Sequence, residues 1–309
     1  MKPLRIGIVG VGKIARDQHI PALQRSEAFE LVACASRNAA VEGVDNFPSI
    51  EAMLAKRPDL DAVSICTPPQ AHYAAVRAVL AAGKHVFLEK PPCATTRQLE
   101  DLAHHAALAH CTLFQTWHSR CAAGVDTART WLKDKSLVSG HIVWKENVRQ
   151  WHPGQTWIWE AGGFGVFDPG INAISILTTI LPDEVFVKSA TLHVPSNCQA
   201  PVAADINFVS EKGAPIKAEF DFLQTGLQTW DIDIVTNRGA LKLGMGGSEL
   251  SIDGKRVDLG GHEGEYPALY RQFAALIAAG RSDVDARPFQ LVADAFLIGA
   301  RVAVEPFIE

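Results

Sequence analysis

No two cysteines in this chain stand in a Cys-x-x-Cys pair, and the six present (Cys34, Cys66, Cys93, Cys111, Cys121 and Cys198) are scattered over 309 residues. That scatter excludes the dense framework of a small secreted domain, so reduced, structural thiols in a cytoplasmic protein are expected. No apolar run approaches the roughly 18 residues that cross a bilayer. The opening MKPLRIGIVGVGK carries charge and an apolar stretch, but that stretch is short, broken by glycines and followed by Lys13, so no signal peptide is expected. A basic cluster is also missing. Lys plus Arg total 29 against 34 for Asp plus Glu, a net charge of −5 with a pI near 6.1. That balance argues against nucleic acid or an anionic membrane as partner. The 11 histidines include no His-Glu-x-x-His or similar ligand spacing, so no metal is expected. Internal repeats and low-complexity tracts are lacking too.

What is present is an ordinary globular composition, 48% hydrophobic and 20% charged, in a chain long enough for two domains. The first third alternates short apolar runs with amphipathic stretches, the pattern of a parallel sheet wrapped by helices. Residues 4–9, 29–35, 62–66, 85–88 and 112–117 read as strands, and 13–25, 50–56, 71–82 and 96–109 as helices. Thr95 and Gln98 have capping-box spacing before the last of these. Beyond about residue 121 the texture changes. A helix near 125–133 and a strand at 141–148 precede a Trp/Gly-rich loop, and 186–259 reads as antiparallel strands separated by turns such as TNRG and DGK. The tail, 266–279 and 289–304, reads as helix. The fold expected is therefore α/β, a doubly wound parallel domain at 1–122 and an α+β domain with an open, mainly antiparallel sheet at 123–309. The closing helix is a candidate to pack back on the first domain.

LRIGIVGVGKIARDQH fits strand, tight turn and helix. Gly10-x-Gly12-x-x-Ala15, with Lys13 and Ile14 between, is a dinucleotide fingerprint: Gly10 permits the turn, Gly12 lets backbone approach the pyrophosphate, and Ala15 keeps helix close to strand. The helix N-terminus then offers free N–H groups to the phosphates. At the end of the second strand an NAD-specific site carries Asp or Glu, yet Ser36 and Arg37 stand there. A guanidinium suits a 2′-phosphate, so NADP is favoured and NAD is the second cofactor; Arg37 as a solvated loop residue is the competing reading.

Three further segments, CTPPQAHY after the third strand, HVFLEKPP at the fourth and GGFGVFDPGINAIS from Gly162, join the N-terminal glycines in a pattern that resembles the glucose–fructose oxidoreductase/inositol dehydrogenase (Gfo/Idh/MocA) family along essentially the whole chain. The resemblance implies that the Glu-Lys-Pro motif supplies an active-site lysine, Lys90, with Pro91 fixing the backbone beside it and a cis Lys90–Pro91 bond in keeping with X-Pro chemistry. It also implies a cofactor lining from Thr67, Pro68, His72, Glu89 and Lys90. Asp168-Pro169 reads as an N-cap and first-turn pair. One helical turn later stands Asn172, where many family members carry His. Asn cannot titrate, so hydroxyl binding suits it, and proton transfer falls to Asp168 or Lys90.

FQTWHSRC, WKENVRQWHPGQTWIWEAGG and FDPGIN look like the family's bacterial aldose 1-dehydrogenase branch, which acts on L-arabinose and D-galactose. Trp151, Trp157, Trp159 and Trp230 offer faces for sugar C–H surfaces, with ordinary core packing the rival reading for each alone. Glu146, His118 and His152 offer hydroxyl partners. Glu146 shares strand parity with Ile142, Trp144 and Val148, and a carboxylate on an apolar face needs a reason. The expected activity is NAD(P)-dependent oxidation of a cyclic aldose (L-arabinose, D-galactose or D-fucose) at C1 to the lactone, by a homodimer or homotetramer. Rival readings are a relative acting on an inositol, a diol or another sugar, and a cofactor-sensing protein without turnover.

Overall fold

The computed structural model describes residues 2–309, which divide into two compact units. The first comprises residues up to His118 together with Glu263–Ala286; the second comprises Ser119–His262 and Arg287–Glu309. Among the described residues no helix is long and apolar enough to cross a membrane.

The first unit is built on six parallel strands: β1 (Leu4–Val9), β2 (Phe29–Ala35), β3 (Asp45–Phe47), β4 (Ala62–Ile65), β5 (His85–Leu88) and β6 (Leu113–Gln115). Their order is β3-β2-β1-β4-β5-β6. Strand order reverses between β1 and β4, the place where doubly wound sheets open a crevice at their carboxyl ends. β4 and β5 are buried almost throughout, which is why they read as continuous apolar runs. Three helices match expectation within a residue or two: Ile50–Lys56, Pro69–Ala81 and Thr96–Leu108. Thr95 caps the last of these through Oγ1, which accepts from Gln98 N–H at 3.4 Å.

The expected helix at 13–25 is different. Ala15–His19 winds as a π-turn and only Ile20–Gln24 is α-helical. Pro21 has no N–H for the α ladder, so the hydrogen-bond register changes just ahead of it. Short β3 was not anticipated, since DNF carries little strand character.

The second unit holds a nine-stranded sheet. Its members are β7 (Leu137–Lys145), β8 (Val185–Pro195), β9 (Ala203–Ser210), β10 (Pro215–Asp221), β11 (Thr229–Thr236), β12 (Gly239–Gly244), β13 (Glu249–Ile252), β14 (Lys255–Arg256) and β15 (Ala300–Val304), in the order β14-β13-β12-β11-β7-β10-β9-β8-β15. Two neighbouring pairs, β7·β10 and β8·β15, are parallel and the rest antiparallel. One face is covered by the helices Phe167–Ile180 and Arg287–Ile298, whose Ile171, Ile174, Leu177 and Val292 are buried.

Three differences from the sequence reading stand out. β7 begins at Leu137 and ends at Lys145, and Val148 opens a short helix, Val148–Trp151, capped by Asn147. Residues 300–304 are strand and not helix, because the free edge of β8 offers ARVAV a ladder. The division between the units falls at His118/Ser119, and Glu263–Ala286 belongs with the first unit. The apolar face of helix Glu265–Ala278 explains the latter. Tyr270 stacks on Phe87 at 4.7 Å and Phe273 on Phe29 at 5.5 Å, completing an aromatic core. Four fully buried rings removed from water are each worth about 1.5–3 kcal/mol or more.

Candidate functional site

In the first unit the fingerprint turn is as its residue types demand. Gly10 has φ +90°, and a Cβ there would lie 2.9 Å from the Cys66 carbonyl carbon, so only glycine fits. A Cβ on Gly12 would meet nothing within 4 Å, leaving room for a pyrophosphate against the backbone. Ala15 is fully buried, Ile14 half-buried, and Lys13 is tied to Asp17 on the surface. Thr67, after β4, has a buried Oγ1 with no hydrogen-bond partner among the described residues. A dinucleotide hydroxyl or phosphate would satisfy it. These features fit NAD or NADP. Ser36 is half-buried, and the exposed Arg37 makes no ion pair among the described residues.

His72 and Glu89 hold the site together from below. His72 is fully buried with Nε2 2.5 Å from Thr67 O and Nδ1 3.1 Å from Pro92 O, so it ties the loop of Thr67 and Pro68 to the Lys-Pro-Pro loop. Burial pushes its pKa down, against the two carbonyls. Glu89, 3% exposed, accepts from Tyr266 Oη at 2.9 Å and meets His19 Nε2 at 2.9 Å; its other oxygen accepts the Lys90 N–H at 2.9 Å. His19 Nδ1 continues to Tyr270 Oη at 2.7 Å and Tyr270 to Ser64 Oγ at 2.9 Å. Burial alone would raise the Glu89 carboxyl. The His19 hydrogen bond and the charges of His19, His118 and Lys90 outweigh it and hold the group at about 2. Burial, then the Glu89 charge, pushes Tyr266 far up.

Lys90 follows directly, half-buried, with a cis bond to Pro91. The sequence reading missed His19, Ser64, Tyr266 and Tyr270. A signal existed for His19, which falls four residues from both Ala15 and Leu23 on the buried face. His118 is also placed in this unit, its Nδ1 2.6 Å from Glu265 Oε2 and its ring stacked on Tyr266.

Glu146, His152 and Asp168 converge in the second unit. Glu146 lies just past β7, its main chain pinned by Glu146 N–H to Asp221 O (2.9 Å) and Gln224 N–H to Glu146 O (3.2 Å). Its side chain, 6% exposed, accepts from Trp230 Nε1–H at 2.9 Å. His152 stands between two carboxylates, Nε2 3.7 Å from Glu146 Oε1 and Nδ1 3.6 Å from Asp168 Oδ2. Ile142 and Trp144 are buried on one face of β7, and Glu146 and Val148, beyond its end, are buried too.

Asp168 is not an N-cap. The helix starts at Phe167 behind Val166, and the turns from Phe167 N–H to Phe164 O and Asp168 N–H to Gly165 O wind the chain before Asp168, which is freed to face His152. Asn172 is one turn on, its Oδ1 buried without a hydrogen-bond partner among the described residues.

Indoles wall this cluster. Trp230 stacks on Trp144 with centroids 6.1 Å apart and meets Trp151 at 5.4 Å. Trp144 was not among the proposed ligand residues, yet its Nε1–H and that of Trp151 are buried with no partner among the described residues. Two unpaired donors and one unpaired acceptor beside carboxylates and aromatic faces are complementary to a small polyhydroxylated molecule. Trp159 packs elsewhere, against Phe222 and Phe307. Trp157 lies half-buried in the turn Thr156–Trp159.

With that geometry in hand, likeness to known proteins can be placed. The model of an oxidoreductase family with an NAD-binding Rossmann fold matches residues 4–116. The chain is 48% identical to galactose 1-dehydrogenase of Pseudomonas fluorescens over the full length of both. It superposes on the crystal structure of D-galactose-1-dehydrogenase from Rhizobium etli with a TM-score of 0.94 at 52% identity, covering 100% of this chain and 99% of that one. A 3-ketoreductase from Actinomadura kijaniata, in complex with NADP and TDP-benzene, superposes with a TM-score of 0.84 at 19% identity over 98% of this chain and 99% of that one, a likeness of fold alone.

Proposed function

The chain belongs to the Gfo/Idh/MocA oxidoreductase family, and from that premise we propose that it is an NAD(P)-dependent aldose 1-dehydrogenase acting on D-galactose, L-arabinose and D-fucose. The observation that carries the reading is the Glu146–His152–Asp168 array under the Trp144, Trp151 and Trp230 indoles, with its unpaired N–H donors and Asn172 oxygen. The match along the whole chain to proteins named for galactose 1-oxidation supports it.

The dinucleotide supplies the hydride acceptor when bound, so that loss of hydride from C1 and of the proton from its hydroxyl leaves an aldonolactone. Lys90 stabilises the developing alkoxide as a cationic donor. Asp168, one oxygen faced by His152, takes the hydroxyl proton. Glu146 is held by Trp230 and accepts from ring hydroxyls, Asn172 bonds another, and the indole faces cover sugar C–H surface. Arg37 grips a 2′-phosphate, which makes NADP the preferred cofactor.

L-arabinose, D-galactose and D-fucose share ring stereochemistry and differ only at C5, so polar groups set on the ring hydroxyls accept all three. An epimer such as D-glucose strands a buried partner at about 1–3 kcal/mol. The test is NADPH formation across a panel of aldoses and polyols, with hydroxylamine trapping of the lactone. D-glucose should be at least about tenfold poorer in kcat/KM. A preference for myo-inositol or D-glucose would overturn the substrate assignment. Phe186 and Val235 stand exposed on the sheet face opposite the helices, and we assign that face to self-association as a homodimer or homotetramer, measurable by light scattering.

A further inference from the structure

Phe307 lies beyond β15, far in sequence from the sugar-facing loop, yet its ring is tied to that loop from two sides. It packs on Trp159 with centroids 4.7 Å apart, and the Arg149 guanidinium sits over it at 4.9 Å. Its main chain is gripped as well: Asn197 Nδ2 donates to Phe307 O at 2.8 Å, and Phe307 N–H donates to Asn197 Oδ1 at 2.8 Å. The neighbours add to the hold, with Arg149 donating to Ile308 O and Gly154 N–H to the Glu309 carboxylate. From Trp159 the contacts run inward. Trp159 meets Phe222 edge-on at 5.9 Å, and the fully buried Phe222 meets the His152 ring at 5.5 Å. A shallow surface pocket is lined by His152, Trp159, Phe307 and Glu309 together.

We propose that Phe307 is a positioning residue for the sugar site, clamping the segment 148–160 so that Trp151 and His152 are held ready before substrate arrives. The segment needs such help. Its regular structure is one four-residue helix and one four-residue 3-10 turn, both too short to be stable alone. A ligand that must order its own binding loop binds more weakly by the fraction of time the loop is ordered. Holding the loop from outside the site removes that loss without touching the reacting atoms, so it acts on sugar affinity and not on the chemical step.

The kinetic arm rests on the sugar-oxidation reading; the exchange arm does not. In the full-length protein, Phe307→Ala should raise KM for the sugar about tenfold, the 1.4 kcal/mol of one decade being the worth of one aromatic pair with one cation–π contact. Its kcat and cofactor KM should stay within about twofold. Phe307→Tyr, which keeps the ring, should restore KM. Independently, amide hydrogen exchange in 149–160 should quicken in Phe307→Ala while the strands β7 and β9–β12 keep wild-type protection. Unchanged exchange in 149–160 overturns the proposal, and so does loss of protection across the whole second unit, which would mark Phe307 as general packing. Local loosening with an unchanged sugar KM overturns it too. If no sugar is oxidised at all, the function falls while the exchange result still decides the clamp.

Discussion

Replacing Glu89 by Gln keeps the side chain's shape and removes its charge. The carboxylate accepts on both oxygens, from Tyr266 and His19 on one and from the Lys90 N–H on the other. An amide puts an NH₂ against one of those donors whichever way it is turned. The energy follows from the depressed carboxyl, about 2 in the folded protein against an ordinary 4.5. At 1.36 kcal/mol per unit that difference is about 3 kcal/mol, and with Glu89 3% exposed no discount for solvent screening applies. Because the folded value is the lower one, the contribution is complete above about pH 5.5 and is lost as pH falls through 4.5 toward 2. At pH 4 part of it has already gone, since the unfolded chain largely binds the proton and the folded one does not. Glu89→Gln should therefore lower Tm by about 6–12 °C at pH 7, taking 2–4 °C per kcal/mol for a unit of this size. The gap between variant and wild type should narrow at pH 4. Calorimetry at both pH values measures this. A variant within about 1 kcal/mol of wild type at pH 7, or a deficit that does not change with pH, would refute the claim that charge at Glu89 stabilises the fold.

Arg37→Ala should erode the NADP-over-NAD ratio of kcat/KM by about 1.5–3 kcal/mol, the worth of a charge-assisted hydrogen bond; a wild type indifferent to cofactor would sink that assignment. Lys90→Met should cut turnover by orders of magnitude while NADPH fluorescence titration shows near-normal binding, because the fingerprint residues carry the phosphate grip. Asn172→Ala should weaken sugar binding, by about 1–3 kcal/mol for a buried polar partner lost, and leave the pH–rate profile in place. Disappearance of an ionisation in that variant would contradict the division of roles between Asp168 and Asn172.

Much of the architecture was legible because its signals are local. β1, β2 and β5 and the helix Ile50–Lys56 have the bounds their apolar periodicity indicates, and Thr95 caps as its spacing predicts. Glu146 is buried as expected, although β7 stops one residue short of it. What escaped depends on partners distant in sequence. Nothing within ARVAV announces a strand until β8 offers its edge. Asp168 has the chemistry of an N-cap, and only the preceding turn frees it to face His152. No motif announces that His72 and Glu89 brace the loops around them, His72 Nε2 on Thr67 O and Glu89 on the Lys90 N–H. The contact of His118 with Glu265, 147 positions away, is encoded by no motif.

The return of residues 263–286 to the first unit bears on how the chain is made. Between His118 and Glu263 the ribosome adds 144 residues (119 through 262), which at about 5–20 residues per second takes roughly 7–30 s. For all of that interval the nascent first unit lacks Tyr266, Tyr270 and Phe273. Phe29 and Phe87 are then without their stacking partners, and the Glu89 carboxylate and His19 are without the tyrosine hydroxyls that complete their hydrogen bonds. A half-built aromatic core left open for seconds is apolar surface exposed to protease and to aggregation. Ribosome-bound chains halted before residue 263 should therefore be cut by protease within the first unit far faster than chains halted well past residue 286, once their tail has cleared the exit tunnel.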